Sequence, residues 1–419
     1  MIIMRPCVAL AAALLHAPSA PPSPRGRHPV MATLEWRLFG VETPALDDVG
    51  AGGATYNLVP TLSPELHEAV ASRVGIAATE LPVEKIRLVR RSLDARPRQS
   101  ARSRSRGKRG QKSICWSHVV DVTLDRQQAK RIKAQPGRIV PAAGERAPAR
   151  AAAQPPSVDG AAHFVVIGAG PCGLFAALTL ARAGHRVTVC ERGKRVEERG
   201  RSIGALVKRR VLDAESNFCY GEGGAGTWSD GKLTTRIGRN SAQVRSVLET
   251  LVHFGAPERI LLDGSPHLGT DNLVKLLKNF RAELIELGAS MRWDARVEQL
   301  LVSTESESRR MAGVVLANGE EIQADGVVLA AGHSARELYA ELIAVGATLS
   351  PKDFAVGFRI EHPQSVINRA QYGELAEHCA LSGKGLLPPV SYRLATTVKT
   401  PAADDRPLER TTSERPDAA

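Results

Sequence analysis

A glycine-rich turn between an apolar strand and a helix constrains this chain more than any other feature. The turn runs from Gly168 to Gly173 and reads GAGPCG. It follows the apolar residues 164–167, and a helix of small and apolar residues is predicted after it over 174–183, with a second strand over 186–190. Strand, glycine turn, helix and strand form the unit from which parallel sheets are built. The pattern therefore predicts an α/β fold of Rossmann type.

The same turn has the pattern of a dinucleotide-binding site. Gly168 permits the tight turn, Gly170 leaves room for a diphosphate against the backbone, and Gly173 lets the helix pack closely on the sheet. Pro171 and Cys172, inside the turn, are included in the predicted cofactor site. The N terminus of the helix offers N–H groups and a partial positive charge to phosphates.

An acidic residue follows at the spacing that such a site requires. Glu191 ends the second predicted strand, 23 residues after Gly168. Its carboxylate is predicted to accept hydrogen bonds from the adenosine ribose and to repel a 2′-phosphate. Arg192, the next residue, is included in the predicted cofactor site.

A later strand favours FAD over NAD. Residues 324–332, ADGVVLAAG, form an apolar run that ends in small residues after a β-hairpin with an Asn318-Gly319 turn. This arrangement resembles the glutathione-reductase-like FAD fold, a three-layer β/β/α architecture. The resemblance places Ala331 and Gly332 near the cofactor and the backbone at Val297 near the adenine. No second Gly-x-Gly-x-x-Gly occurs, so a separate nicotinamide-binding domain is not indicated.

Four blocks carry a closer resemblance, at 168–193, 215–236, 266–271 and 329–336. They are similar to the family described as NAD(FAD)-utilizing dehydrogenases, and the likeness covers most of residues 80–395. It implies an FAD-dependent oxidoreductase of undefined substrate. Family members continue well beyond residue 393, where this chain turns into a polar tail, so a truncated C-terminal part is expected.

A glycine-rich segment is the best candidate to line the cofactor. It runs over 221–232 as GEGGAGTWSDGK. Its glycines allow close backbone approach and its N–H groups suit a flavin edge or a phosphate, although a structural Ω-type loop fits the composition too. The predicted cofactor contacts in it are Gly223, Gly224, Gly226 and Thr227.

Three polar residues are candidates for catalysis. Asp230 and Lys232 are polar members of this segment, and His333 directly follows Gly332. A buried structural role is the alternative for His333, and packing is the expectation for Cys219. Without a Cys-x-x-Cys among the cysteines, neither a redox dithiol nor a metal site is predicted.

Composition shifts divide the chain into segments. The predicted organisation is a targeting presequence (1–32), a small N-terminal α+β module (33–134) with a basic insertion (96–112), a linker (135–160), an FAD-binding domain (161–393) with inserted substrate or cap regions (195–290 and 335–393), and a tail (394–419).

The N terminus and the charge distribution bear on location and partners. A short apolar run over 8–15 precedes a basic stretch, and no acid occurs before Glu35, which predicts import into a plastid, with a mitochondrion as second choice and secretion as third. No later segment reaches membrane-spanning length. The formal net charge is +12, and eight basic residues without an acid lie in 96–112. Such a run is typical of a solvated loop, so a nucleic-acid contact is the lesser expectation.

Three functions remain open from the sequence. The first is an FAD-dependent oxidoreductase, with NAD(P)H as a candidate external reductant. The second is an NAD(P)-dependent dehydrogenase that uses the single Rossmann unit. The third is a non-catalytic protein that binds FAD or RNA. The substrate and the oligomeric state are not indicated.

Overall fold

The computed structural model describes residues 33–44, 62–95, 114–142, 161–229, 231–233, 241–264, 266–303, 310–351, 357, 360–379, 385 and 387–392. The presequence, the basic insertion, Asp230 and the tail lie outside the described residues, as does the 143–160 part of the predicted linker.

The N-terminal module is an antiparallel sheet covered by one helix. Its sheet has the strand order β2-β3-β1-β4, and hydrophobic side chains such as Leu38, Val120 and Leu66 fill the space beneath the helix. The elements are β1 (Thr33–Pro44), α1 (Pro64–Val74), β2 (Ile86–Asp94), β3 (Cys115–Asp125), α2 (Arg126–Lys130) and β4 (Ile139–Pro141), with 3₁₀ turns at Ala78–Glu80 and Val83–Lys85.

The start of the predicted linker belongs to this module. Residues Ile139–Pro141 pair antiparallel with β1, from Leu38 opposite Ile139 to Trp36 opposite Pro141. The prediction of a linker from residue 135 is therefore wrong at this point. The reason is burial, because Ile139 is only 7% exposed and packs into the module's core.

The second unit is built on a parallel sheet of order β11-β5-β6-β7. Its elements up to the last long helix are β5 (His163–Ile167), α3 (Pro171–Arg182), β6 (Arg186–Cys190), α4 (Val196–Arg209), α5 (Ala242–His253) and α6 (Thr270–Glu286). After them come β7 (Ser290–Arg292), β8 (Val297–Ser303), β9 (Arg310–Leu316), β10 (Glu321–Gln323), β11 (Gly326–Leu329), α7 (Glu337–Ala344) and α8 (Gln364–Tyr372).

This unit has three layers. On one face of the parallel sheet, α3 and α6 bury Leu178, Phe280 and Leu284 against Val166 and Val189. On the other face, the antiparallel sheet β10-β9-β8 packs its own apolar side chains against the strands. The second unit is thus a Rossmann-type β/β/α fold, as predicted.

The sequence runs 291–302, 313–316 and 327–330 have the pattern of one β-meander, but two sheets share them. Met291 pairs parallel with Val189 of β6, and Val327 pairs parallel with Val165 of β5. Among the described strands, β8, β9 and β10 alone form the meander. The tight turn at Gly319, with φ +85°, joins β9 to β10 as predicted.

The two units touch through β2 and β3. The backbone of Arg91 exchanges hydrogen bonds with Leu262 and Gly264, both 2.8 Å long, and its side chain lies 3.3 Å from the Asp263 carboxylate. Trp116 packs with Tyr372 and other apolar residues of the C-terminal segment. Within the described residues, every helix is too short or too polar to cross a bilayer.

Candidate cofactor-binding site

Two glycines of the phosphate turn are required by the protein itself. Gly168 has φ +102°, and a Cβ there would lie 2.6 Å from the carbonyl oxygen of Ala330, the residue directly after β11. A Cβ at Gly173 would overlap the carbonyl oxygen of Gly168. Both positions thus let backbone segments approach one another, and a side chain at either would disturb the fold.

Gly170 is different because none of its contacts with the described residues demands a glycine there. Its φ of −75° suits any residue, and the nearest described atom to a Cβ is the Gly224 Cα, at 3.8 Å. Gly170 is also the N-cap of α3, and no described side chain caps this helix end. An open space in front of an uncapped helix N terminus fits the diphosphate of a dinucleotide.

Glu191 is buried and binds three backbone N–H groups. One carboxylate oxygen accepts from Ala169 at 2.8 Å, and the other accepts from Gly193 and Gly221, both at 2.9 Å. The residue is 5% exposed. Glu191 therefore joins the phosphate turn, its own strand end and the glycine-rich segment, a role that the ribose prediction did not include.

The glycine-rich segment lies directly against the phosphate turn. The N–H of Gly223 donates to the Ala169 carbonyl at 2.8 Å, and a Cβ on Gly224 would come within 3.2 Å of the Gly170 Cα. Thr227 is buried, and its hydroxyl lies 3.2 Å from the carbonyl oxygens of Glu222 and Gly224. The structure thus brings Gly223 and Gly224 against the turn around Gly170, while Gly226 and Thr227 are buried in the same segment.

Arg199 donates hydrogen bonds to the glycine-rich segment and was not predicted from the sequence. It lies in α4, is fully buried, and donates to backbone carbonyls of the glycine-rich segment. An arginine at a buried helical position runs against the hydrophobic periodicity by which helices are predicted. The feature that explains a buried arginine here is the group of carbonyl oxygens around its guanidinium. The sequence does not show that these oxygens lie together.

The side chain of Arg192 is engaged within the protein. Its guanidinium contacts the carboxylates of Glu215 and Glu337 and lies over the Tyr220 ring, 3.9 Å from the ring centre. Burial disfavours the charged form, but the two carboxylates outweigh this effect and raise the pKa of Arg192. These contacts tie α7 to the end of β6, and a cofactor contact by Arg192 stays a prediction.

The positions expected near the adenine and flavin lie at the ends of strands. The Val297 side chain is buried in the core beneath the meander. Ala331 is half-buried, whereas Gly332 and His333 are exposed at the end of β11. The alternative of a buried structural role for His333 is thus wrong, because its side chain reaches solvent.

The predicted residue Lys232 takes part in an isolated β-bridge. It pairs antiparallel with His267, and the N–H of Leu233 donates to the Pro266 carbonyl at 3.0 Å. Lys232 is exposed and His267 is half-buried. Cys219 is exposed, so the expectation that it packs inside is wrong.

Glu222, within the glycine-rich segment, carries a fully buried carboxylate. One oxygen accepts from the Val196 N–H and from Arg281, both at 2.7 Å, while the other has no hydrogen-bond partner among the described residues. Burial raises the pKa of Glu222 to about 7, against the lowering effects of the Val196 N–H and Arg281. The site therefore contains a carboxylate that titrates near neutral pH.

The raised pKa of Glu222 predicts that the free energy of unfolding decreases as pH rises. The folded pKa of about 7 lies above the ordinary value of 4.5, so the folded protein binds the extra proton between these values. Stability from this group is complete below pH 4.5 and is lost as pH rises through 7. We expect Glu222→Gln to remove this dependence, which amounts to about 3 kcal/mol at most. Urea unfolding across this pH range at constant FAD concentration measures it.

Glu197 supplies a control with the opposite sign. It pairs with the same Arg281, and this ion pair lowers the pKa of Glu197. Its contribution is therefore present at neutral pH and lost as pH falls through the lowered pKa. Relative to the parent, Glu197→Gln should be less stable at neutral pH and equal in acid. A Glu222→Gln protein that keeps the parent's pH slope would contradict the assignment.

Family models match two parts of the chain. Residues 163–262 match the FAD dependent oxidoreductase family, and residues 353–404 match the C-terminal domain-like family of FAD-dependent proteins. The first match contains β5, α3, β6, α4 and the glycine-rich segment. It therefore covers the phosphate turn, Glu191 and Arg199 together.

Individual relatives and structures were also found. An uncharacterized protein of Clostridium beijerinckii is 42% identical over 217 residues, which are 52% of this chain and 39% of that protein. The chain thus spans about two-fifths of this relative's length. The Thermovibrio ammonificans THI4 structure is 19% identical with a TM-score of 0.30, covering 44% of this chain and 62% of that one. L-proline dehydrogenase from P. horikoshii is 16% identical with a TM-score of 0.29, covering 43% and 55%.

The family matches and the site geometry agree on one cofactor. The residues present suit a dinucleotide, since the space at Gly170 is open and the helix behind it is uncapped. The structural likenesses are too low to add to this argument. Residues 163–262 and 353–404 both match families of FAD-dependent proteins, which identifies FAD as the cofactor.

Proposed function

We propose that this chain acts as an FAD-dependent oxidoreductase that accepts electrons from a small-molecule donor and passes them to a second acceptor. NAD(P)H is the candidate external reductant, and it would dock from outside. The observation that carries the proposal is the open space at Gly170, between the uncapped N terminus of α3 and the glycine-rich segment, within a region matched by an FAD dependent oxidoreductase family.

The chain's own residues would bind and orient the cofactor. The N terminus of α3 would hold the diphosphate through its N–H groups and partial positive charge. Glu191 would fix the turn that faces it, through the N–H of Ala169. FAD, when bound, supplies the redox chemistry at its ring. The exposed His333, next to Gly332 at the end of β11, is the candidate to exchange a proton with a substrate.

Purified protein tests the proposal directly. We expect a yellow preparation that releases FAD on denaturation, identified by its fluorescence after chromatography. Under anaerobic conditions, NADH or NADPH should bleach the flavin absorption, and an artificial electron acceptor should restore it. The donor that bleaches faster identifies the preferred nicotinamide.

Other results would favour the rival functions. A colourless protein with saturable NADH binding would indicate an NAD(P)-dependent dehydrogenase. Tight FAD without electron transfer to any artificial acceptor, together with salt-sensitive RNA binding, would indicate a non-catalytic protein. Either result would overturn the proposal.

A further inference from the structure

Arg199 has an unusual environment for a charged side chain. It is fully buried in α4. Its guanidinium donates to the backbone oxygens of Asn217 (2.9 Å), Phe218 (3.1 Å), Gly221 (3.2 Å), Glu222 (2.8 Å) and Gly224 (2.8 Å). A sixth contact, of 3.4 Å, reaches the Thr227 hydroxyl. One side chain thus donates hydrogen bonds to five backbone carbonyl groups within the eight residues 217–224.

Carbonyl dipoles stabilise this charge where a carboxylate would be expected. Among the described residues, no carboxylate lies within ion-pair distance of Arg199, and buried charges usually require such a partner. Burial lowers the pKa of Arg199 to about 10. The side chain is therefore still protonated at neutral pH and keeps all its donors.

The opposite side of the same segment is held by acceptors. Gly221 donates its N–H to Glu191, and Gly223 donates to the Ala169 carbonyl in the phosphate turn. Peptide groups of residues 221–224 are therefore held from two directions. Carbonyls accept from Arg199, while the N–H of Gly221 donates to Glu191 and that of Gly223 donates to the phosphate turn. Gly221 has φ +114°, and a Cβ there would overlap the Arg199 side chain. This close contact fixes the segment's distance from α4.

We propose that Arg199 is a positioning residue for FAD, because its planar guanidinium holds Gly223 and Gly224 against the phosphate turn before the cofactor arrives. A segment ordered in advance binds its ligand without paying the entropy of ordering on binding. The proposal rests on FAD binding and not on the identity of the substrate. It assigns Arg199 no contact with FAD.

In this proposal, the planar arrangement of the N–H donors of Arg199 positions the segment, and its positive charge alone does not. Arginine presents five N–H donors in a rigid plane, whereas lysine presents three on one nitrogen. Lysine at this position keeps the positive charge but cannot span carbonyls from Asn217 to Gly224. Arg199→Lys therefore separates geometry from charge, and Arg199→Met removes both with a chain of similar length.

The experiment measures FAD affinity and local order in the full chain. We expect both variants to bind FAD at least about tenfold more weakly than the parent, a loss of about 1.4 kcal/mol, with a changed absorption spectrum of bound FAD. Arg195→Met is the matched control. Arg195 lies just before α4 with an exposed side chain paired to Glu198, so its loss removes an equal charge. It should leave FAD affinity unchanged.

Hydrogen exchange supplies a readout that does not depend on variant yield. In the parent apoprotein, the amides of Gly221, Gly223 and Gly224 should be as protected as those within α3, and FAD should add little. In the Arg199→Lys apoprotein, they should lose protection while α3 keeps its own. Unprotected amides in the parent apoprotein would overturn the proposal even if neither variant folds.

Two other outcomes would also overturn it. Parent-like FAD affinity in both variants, with only a lower melting temperature, would make Arg199 a stabilising residue alone. Parent-like affinity in Arg199→Lys with loss in Arg199→Met would show that charge suffices. A parent protein that binds no FAD would instead refute the proposed function itself, so the two failures are distinguishable.

Discussion

We expect Gly170→Val to fold as the parent does and to bind FAD at least about a hundredfold more weakly, a loss of about 2.8 kcal/mol. The branched side chain would occupy the space in front of the α3 N terminus, where the diphosphate must lie. The backbone at Gly170 has φ −75° and ψ 179°, which valine adopts without strain. FAD titration of the apoprotein, followed by fluorescence quenching, measures the loss.

Gly204→Val is the matched control for this experiment. Gly204 lies within α4, and no described atom lies within 4 Å of a Cβ placed there. The same substitution at an open helical site should leave FAD binding unchanged, and Gly170→Ala should fall between parent and Gly170→Val. Equal FAD affinity in Gly170→Val and Gly204→Val would refute the position assigned to the diphosphate.

Gly170 is also the one glycine of the turn that reports on the cofactor alone. Side chains at Gly168 or Gly173 would meet backbone oxygens of the protein itself, as described above. Loss of FAD in those variants would therefore not distinguish a blocked site from a damaged fold. The sequence pattern assigns a role to each glycine, but only the contacts identify which variant is informative.

The β-α-β unit could be predicted closely because its signals are local. The strand β6 was predicted with the bounds it has, and β5 and α3 differ from prediction by one to three residues at their ends. A continuous apolar run, a glycine turn and a run of small residues suffice for such a unit. Strand β7 was misassigned because three residues carry no local sign of which sheet they join.

Helix α4 was missed for a physical reason that bears on function. Its buried residues are Val196, Arg199 and Ile203, so a charged residue occupies the face that normally shows hydrophobic periodicity. The sequence predicts helix α6 over 271–287 with Thr270 as its N-cap, and this choice of cap is wrong. Gly269 is the N-cap, and the Thr270 hydroxyl instead donates to the Ser229 carbonyl at 2.7 Å. Contacts with residues distant in the sequence explain both the buried arginine of α4 and the N-terminal cap of α6.

Glu191 has a structural role in addition to the predicted ribose contact. Its position after β6 suggested a ribose contact, but the partner Gly221 lies 30 residues further along the chain. No spacing rule connects these two residues. We therefore expect Glu191→Ala to act on the apoprotein as well as on FAD affinity.

The expected result for Glu191→Ala is a loss of roughly 3 to 5 kcal/mol in the free energy of unfolding of the apoprotein. Three buried N–H groups, of Ala169, Gly193 and Gly221, would lose their acceptor. Each unpaired buried donor costs about 1–3 kcal/mol, and the sum is reduced where water can reach the freed groups. Such a loss is large against a typical stability of about 5–15 kcal/mol.

Comparison with an exposed carboxylate separates the two roles of Glu191. Glu298→Ala removes a carboxylate that is 42% exposed and paired with Arg296 at the surface, so its effect on stability should stay below about 1 kcal/mol. If Glu191 served only the ribose, the Glu191→Ala apoprotein would unfold at the parent's urea midpoint and only FAD affinity would fall. A lower midpoint without FAD would instead assign the carboxylate to the joint between turn, strand and glycine-rich segment, which must form before any cofactor can bind.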